Sequence, residues 1–242
     1  METPDPHPLP PRRRAEALAG ARDSLPMLLG AAPFGVIYGT LAGPSGLSPV
    51  AAAAMSLFVF AGSSQFIALT LLGTGAGLAV ILLTTFVVNL RHALYSATLL
   101  PHVAGLGQRW RIPLAFGLTD ETFAVVQLRY GAPDESPFKH WYFLGSFVAM
   151  YGNWFMWTLA GILLGRTLPN LEHLGLEFAM AATFTGIVVP MLRSRPMLGA
   201  ALAAGAVALA GRGLPYKLGL MLAALVGVVA GVLLERPGKD RP

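Results

Sequence analysis

The chain has 242 residues, of which 55% are hydrophobic and only 12% charged. A soluble domain carries about 25% charged residues, so this composition, with a mean hydropathy of +0.61, excludes a fully water-facing surface. The chain has no cysteine, which excludes disulfides and Cys-ligated metal. Most of the net charge of +5 lies in termini and short loops, which argues against nucleic acid as the partner.

Residues 1–22 are Pro-rich and then basic, and read as a disordered basic cytoplasmic tail. No apolar stretch with a small-residue cleavage site follows the basic cluster, so a cleavable signal peptide is not expected. Arg12, Arg13 and Arg14 read as a positive-inside anchor. Residues 23–235 form one transmembrane domain in this reading, and 236–242 a short C-terminal tail.

A helix needs about 20 apolar residues to cross the hydrocarbon core. Eight candidate segments follow in order: 25–43, 48–72, 78–100, 113–127, 141–165, 174–192, 196–210 and 215–234. The runs are continuous rather than alternating, so an all-α polytopic bundle is expected and an outer-membrane barrel is not. The count is seven or eight spans, with some helices broken by Gly and Pro. Pro33 and Pro190 are expected kinks. With eight spans and the N-terminus inside, Arg129 and Lys139 fall inside, whereas Arg109, Arg111, Arg166, Arg212 and Lys217 fall outside. The inside excess supports cytoplasmic termini.

A candidate internal repeat has an offset of 118 residues. Thr40-Leu41-Ala42-Gly43 recurs as Thr158-Leu159-Ala160-Gly161, and Phe60-Ala61 and Phe66 match Phe178-Ala179 and Phe184. If segment four spans, the halves are parallel; if it only dips in, they are inverted.

Three stretches carry polar residues inside apolar runs. In segment two, Gly62-Ser63-Ser64-Gln65 can pack closely or unwind, and an unwound helix offers backbone N–H groups to a carboxylate. In segment three, Asn89, Arg91, His92 and Tyr95 lie near the middle. An ionisable group there costs at least about 2.5–3.5 kcal/mol, so it is paired or faces a water-filled path. Asn89 and His92 share one helical face, whereas Arg91 and Tyr95 share another, so a distorted helix or two separate roles are expected. Segment four holds Asp120 and Glu121 side by side, either as a proton-coupling site or as solvated interfacial acids. Trp141, Tyr142, Trp154 and Trp157 read as interface or packing aromatics.

The blocks Phe60-Ala61-Gly62-Ser63-Ser64-Gln65-Phe66, Asn89-Leu90-Arg91-His92-Ala93-Leu94-Tyr95 and Thr119-Asp120-Glu121-Thr122-Phe123-Ala124 resemble the AzlC family, the large subunit of bacterial branched-chain amino acid exporters. Leu176-Glu177-Phe178-Ala179 with Pro190 also fits, although that family usually reads Asp where Glu177 stands. The resemblance implies efflux of leucine, isoleucine or valine across a bacterial cytoplasmic (inner) membrane, with a small AzlD-like membrane subunit.

The expectation is a gradient-driven secondary transporter without a cofactor. Gly62, Ser63, Ser64, Gln65, Asn89, Arg91 and Tyr95 would bind the solute, and Asp120, Glu121 and His92 would carry the coupling proton or ion. No P-loop sequence is present to support ATP hydrolysis. Two alternatives stand beside this reading: an intramembrane enzyme using Asp120, Glu121 and His92, and a non-transporting scaffold subunit.

Overall fold

A computed structural model describes residues 13–133, 136–167, 194–214 and 218–235, with isolated positions 185, 189 and 192. The described residues form helices and connecting turns, in agreement with the all-α reading. Apart from those three positions segment six lies outside the described residues, with Glu177, Pro190, and Phe178, Ala179 and Phe184 of the repeat.

The Ala-rich run Arg13–Asp23 forms α1, and Leu25–Ala42 forms α2. Backbone bonding continues between them, from Ser24 N to Gly20 O (3.2 Å) and from Leu28 N to Ser24 O (2.9 Å). Together they run parallel to α9, Lys139–Thr167. The matching levels are Ser24 with Ser146, Leu28 with Asn153, and Gly39 with Thr158 and Ile162. Small residues permit this approach. A Cβ at Gly161 would strike the backbone of Val36, and one at Gly145 would strike Ala17.

The expected disordered tail is therefore corrected for residues 13–22, which are helical. The reason is a partner that local composition does not show. Glu16, only 7% exposed, accepts from Arg129 Nη2 (2.6 Å) and Nε (3.1 Å) and from Ser136 Oγ (2.6 Å). Glu16→Gln keeps the shape but removes the charge. It should lower stability by about 1.5–3 kcal/mol, the worth of a charge-assisted bond, read as a lower unfolding temperature in detergent.

Segment two divides into α3, Pro49–Phe58, and α4, Gly62–Gly73. Ser48 caps α3 by accepting from Ala51 N (3.1 Å), with Pro49 in the first turn. The chain then doubles back. Gln65 Nε2 donates to Ser56 Oγ at 3.0 Å, whereas nine residues of straight helix would separate them by about 13 Å. Tyr38 bridges the arms, donating to Ala52 O (3.1 Å) and meeting Phe66 edge-on with ring centroids 6.2 Å apart.

Segment three is α5, Leu78–Asn89, followed by α6, Arg91–Val103, which together make one apolar length of 26 residues. Ser64 bonds Asn89 and Ile81 packs beside Leu71, so α5 runs antiparallel to α4.

Segment four is also a hairpin rather than one helix. Gln108–Phe116 forms α7, Gly117–Thr119 turns, and Asp120–Tyr130 forms α8. Trp110 near the start of α7 packs on Trp141, and Arg129 near the end of α8 lies over the Tyr142 ring. The tip reaches Phe147, where a Cβ on Gly117 would enter the ring. Both outer ends of this hairpin thus meet the start of α9, and its tip meets the middle.

Among the described residues, three helical lengths are long and apolar enough to cross a membrane: Leu25–Ala42, Leu78–Val103 and Lys139–Gly165. The hairpin arms have 10, 12, 9 and 11 residues, or about 14–18 Å at 1.5 Å per residue, half of a core about 30 Å thick. The outer ends of α3–α4 lie at the end marked by Ala42 and Gly165, called the crown here. Those of α7–α8 lie at the end marked by Arg13 and Lys139, called the base.

Two sequence expectations change as a result. Arg109 and Arg111 share the base with Arg129 and Lys139, because α7 starts there. Since segments two and four both turn back, α2 and α9, which carry the matched Thr-Leu-Ala-Gly blocks, keep the same direction.

Helices α10, Arg195–Ala210, and α11, Leu218–Leu234, form an antiparallel pair. Gly211 meets Gly219 near the turn, and Gly199 meets Leu234 at the far end.

Candidate functional site

The two hairpin tips meet halfway along α9. Phe60 from the crown hairpin packs on Phe116 from the base hairpin (centroids 6.1 Å) and on Tyr151 and Phe147 of α9 (4.9 and 6.2 Å). Phe60 has a φ of +35°, the one positive φ outside glycine among the described residues. That region costs about 1–3 kcal/mol and persists only where surrounding packing holds it. Phe60 is 5% exposed, enclosed by the rings that hold it.

Beside these rings lies a polar centre. The α5–α6 junction is tightened at Leu90, whose N–H bonds Val87 O (3.2 Å), three residues back. The distortion resolves the two-face problem. Asn89 Oδ1 accepts from Ser64 Oγ (2.7 Å), while Arg91 Nη2 donates to Ser63 Oγ (2.6 Å). The same Arg91 nitrogen lies 3.0 Å from Asp120 Oδ2. Asp120 Oδ1 accepts from the Tyr95 hydroxyl (2.5 Å), and the Tyr95 ring stacks on Phe123 at 4.4 Å. The pair is partly enclosed, with Arg91 27% and Asp120 26% exposed. Arg91 Nε is buried and has no hydrogen-bond partner among the described residues.

Two helix N-termini converge here. Ala61 leads into α4 with no side-chain cap on the first-turn N–H groups of Gly62, Ser63 and Ser64. Thr119 caps α8 by accepting from Thr122 N (3.3 Å), and Asp120 and Glu121 occupy its first turn, where negative charge suits the helix dipole. Glu121 is half-buried and turns back toward Thr119 and its own backbone N–H. His92 is half-buried, edge-on to Tyr95 with centroids 5.9 Å apart.

The residues singled out in the sequence separate into two groups. Ser63, Arg91, Tyr95 and Asp120 form one connected network, with Gly62 and Glu121 in the adjacent first turns. Gln65 instead belongs to a dry lock. It is fully buried, donates to Ser56 and accepts from Trp154 Nε1 (3.0 Å), while Ser56 shares a 2.9 Å bond with Thr158. Ser64 is likewise buried on its bond to Asn89.

The sequence reading missed Phe60 and Phe116 as facing tips. Their signals were present as the Phe-Ala-Gly and Phe-Gly boundaries of short helices. Trp154 packs internally, at 7% exposure, whereas Trp110 and Trp141 meet edge-on at the base.

Among the described residues, three crossing lengths, two half-depth hairpins and an ion pair from the middle of the second crossing length to the base-hairpin tip define a polytopic helical membrane protein with a polar centre. The chain belongs to the AzlC family, whose model, described as AzlC protein, matches residues 26–168. It is similar to the inner membrane protein YgaZ of Escherichia coli K12, with 30% identity covering 97% of this chain and 87% of YgaZ. An uncharacterized membrane protein of Archaeoglobus fulgidus is 34% identical, covering 84% of this chain and 89% of its own. The branched-chain amino acid transport protein AzlC of Bacillus subtilis is 28% identical, covering 69% of this chain and 64% of its own. No solved structure matches the chain.

Proposed function

We propose that this chain is a gradient-driven secondary transporter that exports branched-chain amino acids, with its solute site at the hairpin tips. The observation that carries the reading is the Ser63–Arg91–Asp120–Tyr95 network, set at half depth between two short helices that start there. A zwitterion needs opposite charges a few ångströms apart. Its carboxylate would bind Arg91, the Ser63 hydroxyl and the uncapped N–H groups at Gly62. Its ammonium would compete with Arg91 for Asp120 or meet Glu121.

Proton coupling is assigned to Asp120 and Glu121, with His92 at the network's edge. Binding would trade the Arg91–Asp120 pair for two new pairs, so an ion pair stored at half depth offsets the cost of bringing charge into lipid. Ser64, Gln65 and Asn89 would hold the α4 start in place without touching solute.

The base is assigned to the cytoplasm. Arg13, Arg14, Arg22, Arg109, Arg111, Arg129 and Lys139 lie toward it, whereas the crown connections 43–48 and 74–77 contain no Lys or Arg and Arg166 stands at the crown end of α9. Residues 23–235 act as one transport domain in a bacterial inner membrane, with a small AzlD-like membrane subunit as partner.

The test uses proteoliposomes preloaded with labelled leucine, isoleucine or valine, with the small subunit present and absent. Wild-type protein should release unchanged amino acid when a pH gradient is imposed. Asp120→Asn and Glu121→Gln should uncouple release from that gradient; unchanged gradient-driven flux would remove both acids from the coupling role. Chemical conversion of the label would favour an enzyme instead.

A further inference from the structure

We propose that the cleft between α6 and α7 is the inner half of the solute's path, and that α7 is its moving wall. This rests on the transport reading above. The cleft holds about 250 Å³, enough for the aliphatic side chain of a small amino acid. Gln108 and Arg111 stand at its base-side mouth, Leu99 and Leu114 line its walls, and Ser96 and Leu118 stand at its inner end. Ser96 follows Tyr95 in the chain, and Leu118 lies two residues before Asp120, so the cleft ends beside the polar centre.

The two hairpins are held very differently. The crown hairpin is fastened to α2 and α9 by three buried polar bonds, Tyr38 to Ala52 O, Ser56 to Thr158 and Trp154 to Gln65, and by a half-buried one, Tyr151 to Leu57 O. The α8 arm of the base hairpin is fastened through Arg129 to Glu16. Among the described residues, no side chain of α7 makes such a bond; its partners are rings at its two ends and the apolar face of α9. Apolar contacts are non-directional and re-form after sliding, whereas a buried hydrogen bond that is broken leaves unsatisfied groups. Opening on the crown side would break several such bonds; swinging α7 about Gly117 breaks none of those named. Phe116, at the tip of α7, rests against the strained Phe60, so moving this arm also loosens the contact between the two hairpin tips.

The natural absence of cysteine allows a direct test in the full chain. In a Ser96→Cys/Ala115→Cys double variant, a reducible bismaleimide would tie α6 to α7 across the cleft. Leucine flux should fall by at least about tenfold, as expected for a blocked gating step, and recover on reduction. In Ser56→Cys/Thr158→Cys, a disulfide would tie the crown hairpin to α9, and flux should be the same oxidised and reduced. Persistent flux with α6 tied to α7, or loss of flux from the crown disulfide alone, overturns the proposal.

A second readout is independent of transport. A lone Ser96→Cys should react with membrane-impermeant maleimide added from the base side, and a lone Ala52→Cys from neither side. A lipid-filled cleft would instead admit only a lipid-soluble maleimide, which also overturns the proposal. Absence of amino acid flux in every reduced variant and in the wild type, with Ser96→Cys labelled as expected, would count against the transport reading and leave the water path standing.

Discussion

Arg91→Gln should reduce amino acid flux by about 100-fold or more, and Arg91→Lys should fail to restore it. Nη2 of Arg91 meets Ser63 and Asp120 together. A lysine ammonium could meet those two partners, but it lacks the further N–H edge, including the unpartnered Nε, that the guanidinium keeps for a solute carboxylate. Removing the guanidinium also strands Asp120 at half depth with Tyr95 as its remaining partner in the network. Breaking one side of a buried pair costs about 3–5 kcal/mol, and about 3 kcal/mol added to the transport barrier corresponds to a factor of about 100. Stability separates the two contributions. Arg91→Gln/Asp120→Asn should be more stable than Arg91→Gln alone, because no uncompensated charge remains, yet equally inactive. Recovery of flux in the double variant would show that the pair serves structure alone. Transport in proteoliposomes and thermal unfolding in detergent give the two readings.

The second large effect is expected at Gly161. Any side chain there enters the backbone of Val36, and the neighbouring Gly39 faces Thr158 and Ile162 as closely. Gly161→Val must separate α2 from α9 along the molecule's main axis. The cost should be about 3 kcal/mol or more, at the upper end for overpacking, because both partners are backbone and neither can turn away. Little folded protein should survive extraction, read as loss of the symmetric peak in gel filtration. Gly152 on the same helix has open space around its missing Cβ, so Gly152→Ala should extract as the native chain does. Equal behaviour of the two variants would show that helix propensity, rather than close approach, governs this interface.

The crossing lengths were legible in the sequence because long apolar runs carry their own signal. Leu25–Ala42, Leu78–Val103 and Lys139–Gly165 sit where the runs predict them. Doubling back was not legible in segment two. Hydropathy and period are the same whether a chain passes the midplane or turns there, and the turn at Phe60 is made by packing against Phe116 and Tyr151, far away in sequence. Segment four gave a partial signal: its adjacent acids and short length weakened it as a span, but Gln108–Arg111, the start of its first arm, fell outside it. Arg91, Tyr95 and Asp120 were visible because charge inside an apolar run is costly. The separation of Ser63 from Gln65 was not, because which face of a helix meets solute depends on where Trp154 and Ser56 lie. Glu16 was missed for the same reason: its partner Arg129 stands 113 residues away.

The parallel pairing of the first helix with α9 has a consequence for biogenesis. Ser24 and Ser146 are 122 residues apart, which a ribosome making about 5–20 residues per second spans in roughly 6–24 s. Throughout that interval the N-terminal helix waits in the bilayer without the companion that covers its glycine face. A nascent chain arrested between the two hairpins should therefore be more open to protease or to an insertion chaperone than one arrested after residue 167.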